Sequence, residues 1–478
     1  MMNALALLAA VAAVSPAIEE RTLRLPIVGE ATVYVPPAPT DRAILFLSGD
    51  GGWSKGVLDM ARRAAVGASA VVAGVPCPRL REAARASRGP CWYPAGDLEV
   101  IGQALEKQLR FSEYTRPFLI GYSSGATLVY TALAASSESF SGGMSLGFCP
   151  DLEGVPPLCP HPAFDARKKR ADLPPVPEVS CRWEILQGLS DHTCTPEATQ
   201  AFADEVRGAH VTTMAGVGHG YGNPKKWGEA FDQGLVEIVR VAREAEAAAK
   251  PRATAGDPDL EMDLRALGLP LVLRLVEQPR AVLLFISGDG GWSNFDKTLV
   301  QILAEHDIST IAINTLKYFW HEKPPDQVAG DLKKLVEICR RAGLPLLAGG
   351  YSFGAEVMPV VLDRQDLKGV FAGLILISPG PNASFEVSML DWLRTKEKST
   401  PYKVVDHARA LEGLPTFCAA GEKDEESICA ALRGEEHRDV LLLPGAHHFS
   451  GQYEKVGDAA AAFVDRILSR DKDTVPEP

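Results

Sequence analysis

The sequence predicts an α/β chain with two mostly parallel sheets flanked by helices, one in each half of the 478 residues. Three observations carry that expectation. Continuous apolar runs alternate with helical stretches along both halves, the pattern of buried parallel strands joined by crossover helices. The pattern is duplicated: AILFLSGDGGWS at 43–54 returns almost residue for residue at 281–293. Finally, each half places a Gly-x-Ser-x-Gly pentapeptide between an apolar strand and a helix, at Gly121, Ser123 and Gly125 and again at Gly350, Ser352 and Gly354.

The pentapeptide narrows the fold. Its two glycines permit a tight strand-to-helix turn that exposes the serine oxygen, the elbow of an α/β-hydrolase. A single copy in a chain with 43 glycines is weak, but two copies in matching places are not a chance event. Strands are expected at 70–75, 143–148 and 182–187 in the first half, and at 310–314, 373–377 and 415–420 in the second. An aromatic loop ending in Gly-Asp-Leu precedes each elbow: Trp92, Tyr93 and Asp97 answer Tyr318, Phe319, Trp320 and Asp331. The resulting division is a signal peptide at 1–17, a first hydrolase-like domain at 20–247, an Ala-, Pro- and charge-rich linker at 248–257, and a second domain at 258–470.

Composition bounds the function. A formal net charge of −12 argues against nucleic acid as a partner, and the basic run at 167–170 reads as a solvated loop. Residues 1–17 hold an apolar run too short to span a membrane but of the length and small-residue ending of a secretory signal, although no Lys or Arg precedes it. Export predicts disulfides. Eight of the nine cysteines fall into close pairs, Cys77 with Cys91, Cys149 with Cys159, Cys181 with Cys194, and Cys418 with Cys429. Cys339 is left over as a buried thiol. The spacing matches no metal-binding pattern, so neither a metal nor an organic cofactor is expected.

A serine nucleophile needs a base and an orienting acid, which in this fold follow in the order Ser, Asp, His. Asp424 and Asp191 each lie three residues past a glycine at the end of an expected strand. Two histidines compete in the second half, in PGAHHF, against the single His219 in the first. An ungapped alignment of Gly216 with Gly445 places His219 against His448, which selects Ser352, Asp424 and His448 as the triad. A second set, Ser123, Asp191 and His219, is complete in the first half. The oxyanion donors are expected from Phe353, after the nucleophile, and from Asp289 and Gly290 in the SGDGGW loop. The side chains of Asp50 and Asp289 are expected to cap helices. Trp292, Tyr318 and Trp320 are candidate substrate contacts. Glu356, one turn past Ser352, is either a partner for a substrate ammonium or a carboxylate favoured by the helix N-terminus; Thr127 replaces it in the first half.

With SGDGGW, GYSFGAE, GEKD and PGAHHF in place, the second half resembles the bacterial virulence protein VirJ family, and the duplicated whole resembles the AcvB-like members. The resemblance covers nearly all of the chain after residue 17. It implies a periplasmic serine hydrolase that cleaves the aminoacyl ester of lysyl-phosphatidylglycerol, with the nucleophile in the second half. Peripheral contact with a membrane follows, and a secretion-system protein is a possible partner. The alternatives are a general esterase or lipase, and a non-catalytic periplasmic binding protein associated with type IV secretion.

Overall fold

The structure, a computed structural model, describes residues 18–87, 91–152, 155–159, 173–248, 257–364, 367–387 and 401–472. The expected signal peptide, most of the expected linker and the basic run at 167–170 lie outside the described residues. The chain forms two compact units, Met1–Ala249 and Lys250–Pro478.

The first unit holds eight strands: β1 (Glu19–Leu25), β2 (Gly29–Val35), β3 (Ala43–Leu47), β4 (Val71–Val75), β5 (Phe118–Tyr122), β6 (Gly142–Leu146), β7 (Glu178–Gly188) and β8 (Arg207–Met214). Their order in the sheet is β1-β2-β4-β3-β5-β6-β7-β8. Only β2 runs antiparallel to its neighbours, β1 and β4. The second unit holds β9 (Leu271–Arg274), β10 (Ala281–Ile286), β11 (Ile308–Ile313), β12 (Leu346–Tyr351), β13 (Gly373–Ile377), β14 (Thr416–Gly421) and β15 (Arg438–Leu443). They follow the same order without a counterpart to β1, and β9 pairs antiparallel with β11 as β2 does with β4. This crossed order, with β4 laid parallel on one side of β3 and β5 on the other, is that of the α/β-hydrolase expected from the sequence.

The central strands are apolar throughout because helices cover both of their faces. Every residue of β3, β4, β10, β11 and β12 is buried, as a parallel sheet requires. In the second unit the helices Asn294–Glu305 and Tyr453–Lys472 pack on one face, with Phe295, Leu299, Val456, Phe463 and Val464 buried against Phe285, Leu347 and Ile375. The first of these helices starts with a capping box of Ser293 and Asp296, which satisfies otherwise orphaned N–H groups. Complete burial of Asp296 pushes its carboxyl up to about 7.

Three disulfides are present: Cys91–Cys159, Cys149–Cys194 and Cys418–Cys429. Only the last pairing was expected. Cys77, Cys181 and Cys339 are free thiols, so Cys77 and Cys181 drop out of the disulfide set. The reason is that sequence proximity misleads in a parallel sheet, where the ends of adjacent strands lie side by side although a crossover separates them. Cys149 follows β6 and Cys194 follows β7, so they meet across 45 residues. Cys181 and Cys418 do not occupy equivalent places in the two sheets either. Gly188 and Gly421 end their strands, which puts Cys418 level with Ile185 rather than with Cys181. Closing an 11-residue loop should stabilise the fold by about 2–4 kcal/mol. Replacing both Cys418 and Cys429 by Ala is therefore expected to shift the urea midpoint of the second unit markedly, while Cys181→Ala leaves the first unit's midpoint almost unmoved. A large shift with Cys181→Ala would mean that Cys181 is bonded after all.

Candidate active site

Both serines sit at the tip of the strand-to-helix turn in a backbone conformation that side chains rarely adopt, φ 56° for Ser123 and φ 49° for Ser352. Such strain persists only where the surroundings impose it. Here the imposition comes from glycines. A Cβ on Gly350 would meet the backbone of Gly354, and one on Gly354 would meet the carbonyls of Ile286 and Ser287. The helix therefore starts directly against the end of β10. The N–H of Ser352 donates to the Ile377 carbonyl at 2.8 Å, and that of Ser123 to Leu146 at 2.9 Å, which pins each turn to the neighbouring strand.

Around Ser352 the structure assembles a serine–histidine–aspartate relay. The Oγ of Ser352 lies 2.8 Å from Nε2 of His447, and Nδ1 of His447 lies 3.0 Å from Oδ2 of Asp424. The histidine is His447 and not His448, which corrects the expectation. The loop after β15 is one residue shorter than the loop after β8, so an ungapped alignment of the glycines slips by one. Phe449 and Tyr221 reveal the true register. Both are buried, both have positive φ, and each donates its N–H to the residue three before it, Ala446 and Gly218. His447 and His219 precede these aromatics by two positions, and His448 stands where the first half has Gly220. The pattern His-x-aromatic, His219-Gly220-Tyr221 against His447-His448-Phe449, is a sequence signal that would have selected His447.

His448 has other work. Burial raises the pKa of the Tyr351 phenol well above its usual range, so the hydroxyl stays protonated and donates to Nδ1 of His448 at 2.7 Å. In the first unit the matching hydroxyl, Tyr122, donates instead to the backbone carbonyl of His219 at 2.9 Å. The second unit recovers that carbonyl contact through Ser378, whose Oγ donates to the His447 carbonyl at 3.1 Å. Ser378 is left-handed at φ 47° and occupies the place of Gly147. Nothing in its sequence context marks it out, because the contact depends on strand register.

The second set comes together as expected. Ser123 Oγ is 3.0 Å from His219 Nε2, and His219 Nδ1 is 2.8 Å from Asp191 Oδ2. The other oxygen of Asp191 accepts from the N–H groups of Thr193 and Cys194, each at 2.9 Å. This relay is the more sheltered one: the Asp191 and His219 side chains are 0% and 22% exposed, against 9% and 37% for Asp424 and His447. The Asp191, Cys194 and His219 cluster has metal-like proximity, but Cys194 is spent in a disulfide and His219 Nδ1 is engaged by Asp191. It does not fit a metal.

The remaining expected residues divide. Phe353 is the first residue of its helix, so its N–H has no acceptor within that helix and faces the serine turn. Gly288 packs on the nucleophile, its virtual Cβ lying 3.8 Å from Ser352 Cβ, which brings the backbone of Asp289 alongside. Gly290 is different: its N–H already binds Oδ1 of Asp289 at 3.0 Å, so it leaves the oxyanion set. Neither Asp50 nor Asp289 caps a helix. Asp50 pairs with Arg81, and Ser293 is the cap that Asp289 was expected to be. Tyr318 and Trp320 are buried, at 4% and 2% exposure, and the Tyr318 hydroxyl donates to Asp331 at 2.6 Å. Trp92 Nε1 does the same to Asp97 at 2.7 Å in the first unit. These aromatics fasten a loop to a helix rather than line a substrate site. Trp292 is half-buried against the core of the second unit. Glu356 is half-buried, and one of its oxygens accepts the Gly380 N–H at 3.2 Å.

The family model described as bacterial virulence protein (VirJ) matches residues 280–470. No curated protein sequence matches the chain. Among solved structures the chain is similar to TT1662 from Thermus thermophilus, at 19% identity over 42% of this chain and 94% of that one, with TM-score 0.32. It is also similar to Est1E from Butyrivibrio proteoclasticus, at 14% identity over 46% and 99% of the two chains, with TM-score 0.31. A soluble variant of monoglyceride lipase from Saccharomyces cerevisiae gives 14% identity over 42% and 91%, with TM-score 0.31. Each spans less than half of this chain, and the fold assignment rests on strand order rather than on these scores.

Proposed function

We propose, for a chain whose residues 280–470 match the VirJ family model, that the second unit is a periplasmic serine esterase that hydrolyses the aminoacyl ester of lysyl-phosphatidylglycerol. The observation that carries a hydrolase reading is the relay of Ser352, His447 and Asp424 on a strained turn. Buried structural serines have no need of that geometry.

The chemistry follows from the positions. The Ser352 Oγ attacks the ester carbonyl carbon while Nε2 of His447 takes its proton. Asp424 holds Nδ1–H, which fixes the tautomer and stabilises the imidazolium. The carbonyl oxygen becomes an oxyanion facing the Phe353 N–H at the positive end of the helix, with the Asp289 N–H opposite. His447 returns the proton to the glycerol oxygen as the C–O bond breaks, releasing phosphatidylglycerol. Water, deprotonated by His447, then cleaves the acyl-enzyme and frees lysine.

Glu356 supports the choice of a cationic acyl group. It is the one carboxylate on the first turn after the nucleophile, a negative charge of the sign that suits an ammonium. Three disulfides agree with an exported protein, and no helix among the described residues is long and apolar enough to cross a membrane. The test is lysine release from vesicles containing lysyl-phosphatidylglycerol. Wild type and Ser123→Ala are expected to release lysine and Ser352→Ala to release none. Glu356→Gln should raise KM for the lysyl lipid by about tenfold, the worth of one charge-assisted contact, and leave a neutral ester nearly unaffected. No lysine from the wild type removes the lysyl-lipid reading; equal effects on both esters remove the role of Glu356.

A further inference from the structure

We infer that the first unit is a second serine esterase, with a site of its own at Ser123 and a preference for esters whose acyl group carries no positive charge. The inference stands beside the proposed lysyl-lipid activity and does not depend on it.

The first ground is completeness. Every part present around Ser352 is present around Ser123: the left-handed serine, the histidine at 3.0 Å, and the aspartate at 2.8 Å from the histidine. The oxyanion architecture is retained too. The glycine of the early loop packs on the nucleophile, the virtual Cβ of Gly49 lying 3.1 Å from Ser123 Cβ. Ser124 begins the helix and offers the N–H that Phe353 offers in the other unit. A relay kept only as scaffold has no use for a fully buried aspartate fixed by two N–H donors and braced by the Cys149–Cys194 disulfide. Burying a carboxylate is costly unless it is paired, and its histidine is what makes the arrangement productive.

The second ground is the difference in the wall beside the serine. Strand ends set the correspondence: Val75 and Ile313 end their strands opposite Leu47 and Ile286, so Arg81 stands where the second unit has Phe319. Ser124 stands where it has Phe353. The ring-on-ring contact of Phe319 with Phe353, centroids 5.0 Å apart, is thus replaced by an arginine paired with Asp50 and a serine. Thr127 takes the place of Glu356, and its hydroxyl is turned away to the Cys149 carbonyl at 2.8 Å. The carboxylate that would greet an ammonium is absent from this first turn. In its stead the buried Oγ of Ser124 has no hydrogen-bond partner among the described residues. A buried polar atom left unpaired costs free energy that a bound group can recover, so the site suits an uncharged acyl group with a polar atom near its carbonyl.

The reaction is ester hydrolysis with water as co-reactant. Ser123 Oγ bonds to the carbonyl carbon, His219 passes the serine proton to the departing alkoxide, and water regenerates the serine with release of the carboxylic acid. The full-length chain tests this directly. After treatment with a fluorophosphonate, intact mass is expected to show two adducts on wild type, one on Ser352→Ala, one on Ser123→Ala and none on the double variant. Ser352→Ala should hydrolyse p-nitrophenyl acetate above the double-variant background, and should favour it over p-nitrophenyl glycinate by at least tenfold. A single wild-type adduct that vanishes with Ser352→Ala overturns the second site. Equal rates on the two esters overturn the acyl preference. Because Ser123→Ala reports the other unit alone, failure here and failure of the lysyl-lipid reading are distinguishable.

Discussion

Replacing His447 by Ala is expected to lower kcat/KM of the second unit by about 10⁴-fold or more, the scale seen when the base of such a relay is removed. His448→Ala is expected to cost no more than about tenfold, since it removes only a contact to Tyr351. The contrast is large because only Nε2 of His447 reaches the Ser352 hydroxyl, at 2.8 Å, with Asp424 behind it. The measurement is lysine release in a Ser123→Ala background, with the rate of fluorophosphonate labelling as a second readout. Inactive His448→Ala beside active His447→Ala would show that the loop after β15 re-registers by one residue in solution. Asp424 would then have to swing to a new partner.

The second large effect is structural. Gly354→Ala is expected to destabilise the second unit by about 3 kcal/mol or more, beyond ordinary overpacking, because the added methyl meets backbone that cannot rotate away. Its Cβ would collide with the Ile286 carbonyl and lie 2.8 Å from the Ser287 oxygen. Relief requires lifting the helix off the sheet, and that moves Ser352 away from His447. Gly290→Ala is the control: open space surrounds it and its φ is ordinary. Urea unfolding should separate the two by a shift in midpoint. Similar midpoints would mean that the helix start tolerates a displacement which the packing argues against.

Much of this was legible in the sequence, for local reasons. A run such as Ala281–Ile286, apolar at every position, can only be a strand covered on both faces. A Gly-x-Ser-x-Gly turn needs its glycines for the backbone to pass, so Ser123 and Ser352 could be named at once. Asp191 and Asp424 followed from their places beyond strand ends.

The errors share one cause. His448 was selected over His447 by lining up glycines, yet the length of the loop after β15 relative to the one after β8 is set by where each strand leaves its sheet. The cysteine pairs at 77/91, 149/159 and 181/194 were nearest in sequence, whereas the bonds join what the sheet makes nearest in space. Tyr318 and Trp320 had the composition of a binding loop, and only packing shows them buried beside Asp331.

The sequence by itself determined the duplication, the class of fold and the positions of both elbow serines and of the aspartates that join them, because strand burial and turn geometry are encoded within a few neighbouring residues. Tertiary structure alone decided which histidine stands beside Ser352, which cysteines bond, and that Ser378 makes in the second unit the carbonyl contact that Tyr122 makes in the first, while Tyr351 turns to His448. Those outcomes depend on register between strands far apart in the chain, and register is fixed by the packing of the whole sheet.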